Sequence, residues 1–288
     1  MGKTILVTGA TGTVGGFLVR KLGAAGVQAR ALVRGREKAE AIEKLGLEAA
    51  VGDLSRPETL GPALAGVEKV FLLSAPEERQ AELQNNLVRA AAAAGVRHIV
   101  KLSAIGVGGE LDALAIGRVH RETEEEIERA GLAHTHLRPN GFMQNTFMFA
   151  QTIKAQGAFY APFGAAKVSY VDARDVAAVA FHALTEDGHE GKAYEITGPQ
   201  ALSYYDIAGE LSAALGREVK YVEVPPEAAR AAMVSMGMKE WIADGLMELF
   251  NFYKDGRADR VRDTVREVTG RDPISFAQFA KDFAQAFQ

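Results

Sequence analysis

The chain opens on an apolar run, Ile5-Leu6-Val7, and continues as an alternation of short apolar stretches with segments of helical spacing. The strand-like stretches cover residues 4–8, 29–33, 48–51, 69–73, 98–103 and 134–137. Their alternation with helical segments implies a mainly parallel sheet covered on both faces. The clearest helical patterns between them are 80–94 and 119–130. Gly26, Gly46, Gly66, Gly95 and Gly131 each fall after a helix or just before the next strand, where glycine closes helices. Repeated strand–helix alternation predicts an α/β fold: a doubly wound, mainly parallel sheet with right-handed crossovers.

The rhythm changes after Arg138-Pro139. A loop and helix over 140–156 lead to an aromatic-rich turn, then a strand over 168–171 and a helix over 173–184. From about residue 190 the pattern is α+β, with strands at 193–196 and 219–224, a helix at 204–215 and mostly helix thereafter. The expected division is a Rossmann domain of residues 1–138 plus 166–186 and a small α+β C-terminal substrate lobe of 139–165 plus 187–288.

Between the first strand and first helix lies Thr8-Gly9-Ala10-Thr11-Gly12-Thr13-Val14-Gly15-Gly16. Strand, glycine-rich turn and helix form the setting of a dinucleotide site. Gly9 makes the tight turn, Gly12 lets backbone approach a pyrophosphate, and Gly15 lets helix pack on strand. Thr11, Gly12, Thr13 and Val14 then offer amides at the positive end of the helix. An acid usually ends the second strand of such a fold and holds the ribose hydroxyls. Here Arg34 stands there, followed by Gly35-Arg36 and Lys38. A guanidinium matches phosphate oxygens in a fork, so NADP(H) is the expected cofactor; the alternative is that Arg34 and Arg36 are solvated turn residues.

After the third strand, Asp53 either accepts from an adenine amino group, with Leu54 against the ring, or caps the helix starting near Pro57. Ser74, Ala75 and Pro76 end the fourth strand and are small enough for backbone to pass a nicotinamide ribose, on the carboxyl side where such sheets bind ligands.

With 288 residues, 48% hydrophobic and 24% charged, the chain has the composition of an ordinary globule with a sizeable core. A net charge of -4 gives no basic footprint, so no nucleic-acid partner is expected. There is no cysteine, which excludes disulfides and thiolate chemistry. Six histidines show no H-x-x-x-H spacing, and no metal site is expected. No Gly-x-Ser-x-Gly elbow of a hydrolase occurs. No apolar run approaches the roughly 20 residues of a membrane span, and the chain enters its first strand without a leader, so a cytoplasmic location and no membrane partner are expected.

Taken in order, T-G-A-T-G-x-V-G, Val33-Arg34, Val51-Gly52-Asp53-Leu54, Lys101-Leu102-Ser103-Ala104, Leu137-Arg138-Pro139-Asn140-Gly141-Phe142-Met143-Gln144-Asn145 and Val171-Asp172-Ala173-Arg174-Asp175-Val176-Ala177 resemble the atypical short-chain dehydrogenase/reductases, and within them the NmrA-like group. That resemblance implies a Rossmann core and one of two activities. One is NADPH-dependent reduction of a quinone or related aromatic compound; the other is dinucleotide sensing by a regulator without turnover. It also implies a place for catalytic residues. The wider superfamily donates a proton from a Tyr-x-x-x-Lys pair, but none of the seven tyrosines has lysine four residues on. By position Ile116 replaces the tyrosine and His120 the lysine, and Ser103 stands at the superfamily serine.

Conjugated acceptors spread incoming charge and need a weaker acid than ketones do. His120 is then a candidate proton donor, or it pairs with Glu124 one helical turn on. Ser103 is a candidate contact to substrate or nicotinamide, or it caps a turn. Glu124-Glu125-Glu126 is expected on a solvated helix face, and Asp172 and Asp175 as structural caps. The aromatic and methionine-rich stretches after residue 141 are expected to form mostly the lobe's core, with part in a homodimer contact. Phe142, Met143 and Asn145 are the better substrate-binding candidates, by their match to the family's loop.

Overall fold

The structure is a computed structural model and describes residues 4–288. The described strands are β1 (Thr4–Val7), β2 (Ala29–Val33), β3 (Glu48–Val51), β4 (Val67–Leu72), β5 (His98–Leu102), β6 (Ala133–Pro139), β7 (Ala158–Ala161), β8 (Lys192–Ile196) and β9 (Lys220–Glu223). Seven form one sheet in the order β3-β2-β1-β4-β5-β6-β8, with parallel pairing from β3 through β6. Order reverses between β1 and β4, the switch point at which an open α/β sheet leaves a crevice at its carboxyl ends. The doubly wound reading therefore holds.

The chain divides into two compact units. The first comprises residues 1–113, 117–138 and 176–195; the second comprises 114–116, 139–175 and 196–288. Three segments differ from the expected division, the shortest being residues 114–116, which lie with the second unit. Residues 166–175 lie with the second unit, where Val168 bridges Leu202 and Val171 bridges Phe142. These are isolated bridges, so the strand expected at 168–171 is not a strand. Residues 187–195 lie with the first unit, because β8 is the edge strand of the main sheet rather than part of the lobe.

The first unit carries helices α1 (Thr13–Ala24), α2 (Arg36–Glu43), α3 (Leu60–Leu64) and α4 (Gln80–Ala93), most of α5 (Ala115–Arg129), and the body of a helix over Ala173–Thr185. Its inner strands β1, β4 and β5 are largely buried on both sides, because both faces are covered there. Leu6, Leu32, Val70, Leu72 and Ile99 pack with Leu60, Leu64, Leu87, Val88 and Ala91 in one buried cluster. Truncating one such leucine typically costs about 2–5 kcal/mol.

In the second unit the aromatic-rich segment expected as a turn is strand β7, parallel to β9 in a two-stranded sheet. Phe159, Phe163, Tyr170, Tyr204, Tyr221, Phe250 and Tyr253 are all buried there and pack ring against ring. They are the lobe's core. Among the described residues no helix is long and apolar enough to cross a membrane.

Candidate functional site

The turn after β1 is held by Thr8, whose hydroxyl donates to the Leu73 carbonyl at 2.7 Å and accepts from the Leu73 amide at 2.7 Å. This side chain locks the end of β1 to the end of β4. Gly9 takes φ +62°, and a Cβ there would stand 2.9 Å from Leu73 Cγ. Gly12 donates to the Gly9 carbonyl at 2.9 Å and closes the turn. Gly15 is the tightest position of this turn: a Cβ on it would lie 2.2 Å from the Gly9 carbonyl oxygen. Helix α1 can thus start directly against the strand turn.

Gly12 caps α1 with extended backbone and no side-chain bond, and its first turn holds no acid. The first helical hydrogen bond runs from Gly16 to Gly12, so the amides of Thr13, Val14 and Gly15 have no helical carbonyl to bond. Thr11, Gly12 and Thr13 are exposed, while Val14 is buried and anchors the helix. Open amides, a positive helix end and a cradle that a Cβ would fill fit a dinucleotide pyrophosphate.

Arg34 and Asp53 stand at the ends of β2 and β3, whose register pairs Val33 with Val51. Arg34 is exposed and forms no salt bridge among the described residues, whereas Arg36 faces Glu40 at 3.6 Å. Asp53 does not cap the short helix at Pro57–Thr59, which has no side-chain cap. Its Oδ1 accepts instead from the Ser55 amide at 2.9 Å and hydroxyl at 2.8 Å, since an aspartate readily bonds the backbone two residues on. Those two bonds, with help from Arg34, hold its carboxyl below the usual range. Leu54 is half-buried and its carbonyl accepts from Asn86 at 2.9 Å. The Ser74 hydroxyl accepts from Gln84 at 2.9 Å, and Ala75 and Pro76 are exposed beside it. The nucleotide candidates thus collect at the carboxyl ends of β1 to β4, within the first unit.

Beyond β5 the structure corrects three expectations. Glu124 is fully buried rather than on a solvated face. Its carboxylate takes a fork from Arg138, at 3.2 and 2.6 Å, and the Ser103 hydroxyl at 2.6 Å. Burial works against its charge, but Arg138 and Ser103 outweigh that and leave its pKa lowered. Ser103 therefore caps no turn; its hydroxyl is spent on Glu124. His120, in turn, is not paired with Glu124. Its Nδ1 lies 3.0 Å from Lys101 Nζ and 3.5 Å from Gln80 Nε2. Burial, and then the Lys101 charge, push the imidazole well below its ordinary pKa, so the ring is neutral. With Nδ1 facing an ammonium, Nε2 carries the ring proton.

Lys101 is the residue that periodicity passed over. It is the penultimate residue of β5, is 0% exposed, and donates to the Leu102 carbonyl at 2.9 Å. Burial drops its pKa to about 7, Glu124 pulling it up and Arg138 down. In an unfolded chain the amine keeps its proton to about 10.4. Between those values the unfolded state binds a proton the native state lacks, so stability rises with pH. The contribution is up to about 1.4 kcal/mol per pH unit. Urea melts from pH 7 to 10 are expected to show this slope for the native chain and to lose it in Lys101→Met; parallel profiles would show that Lys101 is not a depressed amine.

In the second unit Phe142 bridges Val171 and is half-buried, and Asn145 is exposed. Met143 is 1% exposed, its amide bonded to the Val171 carbonyl at 2.9 Å. Its side chain is enclosed in the lobe. Asp172 accepts from the Arg174 amide at 2.8 Å and pairs with the Arg174 guanidinium, and Asp175 accepts from the Ile274 amide at 2.7 Å. Both bonds are structural.

The chain is 46% identical over 283 residues to an NAD(P)H azoreductase of Xenophilus azovorans, covering 98% of this chain and 99% of the relative. Its fold superposes on an NADPH-dependent quinone oxidoreductase of Escherichia coli complexed with NADPH, with a TM-score of 0.88, 29% identity, and 97% and 99% of the two chains covered. It also matches the triphenylmethane reductase of a Citrobacter species complexed with NADP(H), with a TM-score of 0.84, 29% identity and the same coverage. A family model matches residues 1–271, and the chain belongs to the NmrA-like family.

Proposed function

We propose that this protein is an NADPH-dependent oxidoreductase that reduces a conjugated aromatic acceptor, of the azo, quinone or triarylmethane kind. The observation that carries the reading is the open turn at Gly9 to Gly15 with an exposed arginine, Arg34, that forms no salt bridge among the described residues and stands where an NAD site keeps an acid. Relatives named for NAD(P)H-dependent reduction of such acceptors support it. Bound in that cleft, the dinucleotide supplies the hydride.

The chain's own residues do the rest. The amides of Thr13, Val14 and Gly15 would bind the pyrophosphate, while that of Gly12 stays on the Gly9 carbonyl, and Arg34 would grip the 2′-phosphate. Asp53 and Leu54 border the adenine, and Ser74, Ala75 and Pro76 border the nicotinamide ribose. Hydride transfer to a quinone or azo group leaves an anion that takes up one proton, whereas a cationic triarylmethane dye is neutralised by the hydride itself. His120 is the proposed donor, from Nε2. Lys101, hydrogen-bonded to Nδ1, returns a proton to the ring as the first one leaves, so the imidazole changes tautomer without becoming an imidazolium. Ser103 and Arg138 hold Glu124, which balances the positive charge beside this chain of bonds. No Tyr-Lys pair takes part. In the lobe, Phe142 and Asn145 offer a ring and an amide to a flat acceptor, and Met143 shapes that loop from beneath.

Titrating both dinucleotides against the native chain and Arg34→Ala tests the cofactor reading. Losing charge-assisted bonds of about 1.5–3 kcal/mol weakens NADPH by roughly 10- to 100-fold. NADH, which lacks the phosphate, is expected to bind almost unchanged. Equal losses for both would remove Arg34 from its assigned role. Turnover of NADPH with an azo dye and a quinone is expected; tight binding with no loss of reduced cofactor across such acceptors would make the protein a sensor.

A further inference from the structure

Strand β6 places His134 and His136 on one side of the sheet, because alternate strand residues share a face. Thr135, between them, points the other way and bonds His98 and the His189 carbonyl. The last turn of α5 brings Glu128 over the two imidazoles, its Oε1 3.5 Å from His136 Nε2. One donor atom from each of Glu128, His134 and His136 lies within 4.8 Å of the other two. The imidazoles stack, with centroids 4.6 Å apart and planes at 17°.

Two details separate this cluster from an ordinary surface pair. His136 is 3% exposed, yet neither of its ring nitrogens has a hydrogen-bond partner among the described residues. Buried polar atoms are nearly always satisfied, so an orphan imidazole beside a carboxylate needs an explanation. His134 has its Nδ1 3.3 Å from the Leu132 carbonyl. That contact sets Nδ1 as the protonated nitrogen and leaves the Nε2 lone pair outward, as the outer partners of metal-bound histidines do.

We propose that Glu128, His134 and His136 bind one divalent transition cation of the zinc class. Two imidazoles and a carboxylate suit zinc and its neighbours cobalt and nickel, and three protein ligands leave a fourth position for water. Ligand bonds of about 2.0–2.1 Å at tetrahedral angles put donor atoms roughly 3.3 Å apart. The Glu128–His136 pair already has that spacing. His134 is half-buried and the Glu128 side chain is 43% exposed, so both can turn inward to complete the set. The nearby Arg138 charge is already matched by Glu124. The cation would pin the last turn of α5 to β6, on the helix that carries His120 and Glu124. The site is separate from the nucleotide turn and does not depend on the proposed activity.

The test uses untagged protein stripped with a chelator, and Co²⁺ and Zn²⁺ as probes. One equivalent of Co²⁺ is expected to give the visible absorption of a four-coordinate site. Zn²⁺ is expected to displace it and to raise the melting temperature. Glu128→Gln and His134→Gln alter accessible side chains and leave the core intact. Each is expected to weaken binding by at least the roughly 10- to 100-fold that even an outer-shell partner is worth. His182→Gln, which removes a histidine paired with Glu186 at 2.6 Å, is expected to change nothing. Absence of stoichiometric binding, or a Co²⁺ signal that survives in the folded Glu128→Gln, His134→Gln double variant, would overturn the proposal.

Discussion

Gly15→Ala is expected to abolish useful NADPH binding. The added methyl would stand 2.2 Å from the Gly9 carbonyl oxygen and 2.7 Å from its carbon, both backbone atoms that no rotamer change can move. Helix α1 must shift away from the turn. Overpacking of this kind costs about 1–3 kcal/mol of stability. The larger effect is on the ligand, because the shift carries the open amides of Thr13 and Val14 with it. Losing one or two charge-assisted bonds of about 1.5–3 kcal/mol each weakens binding by roughly 100-fold or more. Gly16→Ala is the control in the same turn: its Cβ would meet nothing nearer than 3.6 Å. Calorimetric titration of both variants with NADPH checks the pair, and equal affinities would mean that the close approach at Gly15 does not shape the site.

Glu124→Ala is expected to be the most destabilising change near the proposed proton path. It strips the partner from Arg138, whose side chain is only 18% exposed, and leaves the Ser103 hydroxyl without its acceptor. Breaking a buried pair from one side costs about 3–5 kcal/mol, because the remaining charge is stranded. Adding Arg138→Met removes that stranded charge, so the double variant should recover much of the loss. A double-mutant cycle by urea unfolding reads the coupling directly. Additive losses would show that the two side chains act independently. Glu124→Gln carries a second signature: without the carboxylate's pull, Lys101 should give up its proton at a still lower pH.

The parts of this molecule legible in the sequence are those set by local chemistry. The turn from Thr8 to Gly16 needs small residues at fixed offsets, and such a requirement shows in the chain itself. The strands β2 and β3 match their apolar runs residue for residue. What escaped was decided by tertiary packing. Lys101 sits in a fully buried strand where periodicity demands an apolar side chain, and only the neighbouring α5 explains it, through His120. Glu124 follows the polar face of its helix by spacing, yet Arg138 arrives from β6 to bury it. His134 and His136 are spaced for a strand face, and no helical H-x-x-x-H search can find them. The segment over 168–171 is β-like in composition but meets only single-residue bridges to Phe142 and Leu202. Phe159 and Tyr160, between Gly157 and Pro162, suggested a turn; β9, some 60 residues away, makes them a strand.

The central claim is that this chain moves a hydride from the dinucleotide to a conjugated carbon or heteroatom. A cationic triarylmethane dye reports it most directly, because the hydride stays on carbon in the colourless product. With NADPH deuterated at the transferable C4 position, the account predicts one deuterium on the central carbon of each dye molecule bleached. Unlabelled product, or a dye that keeps its colour while the cofactor remains tightly bound, would contradict it.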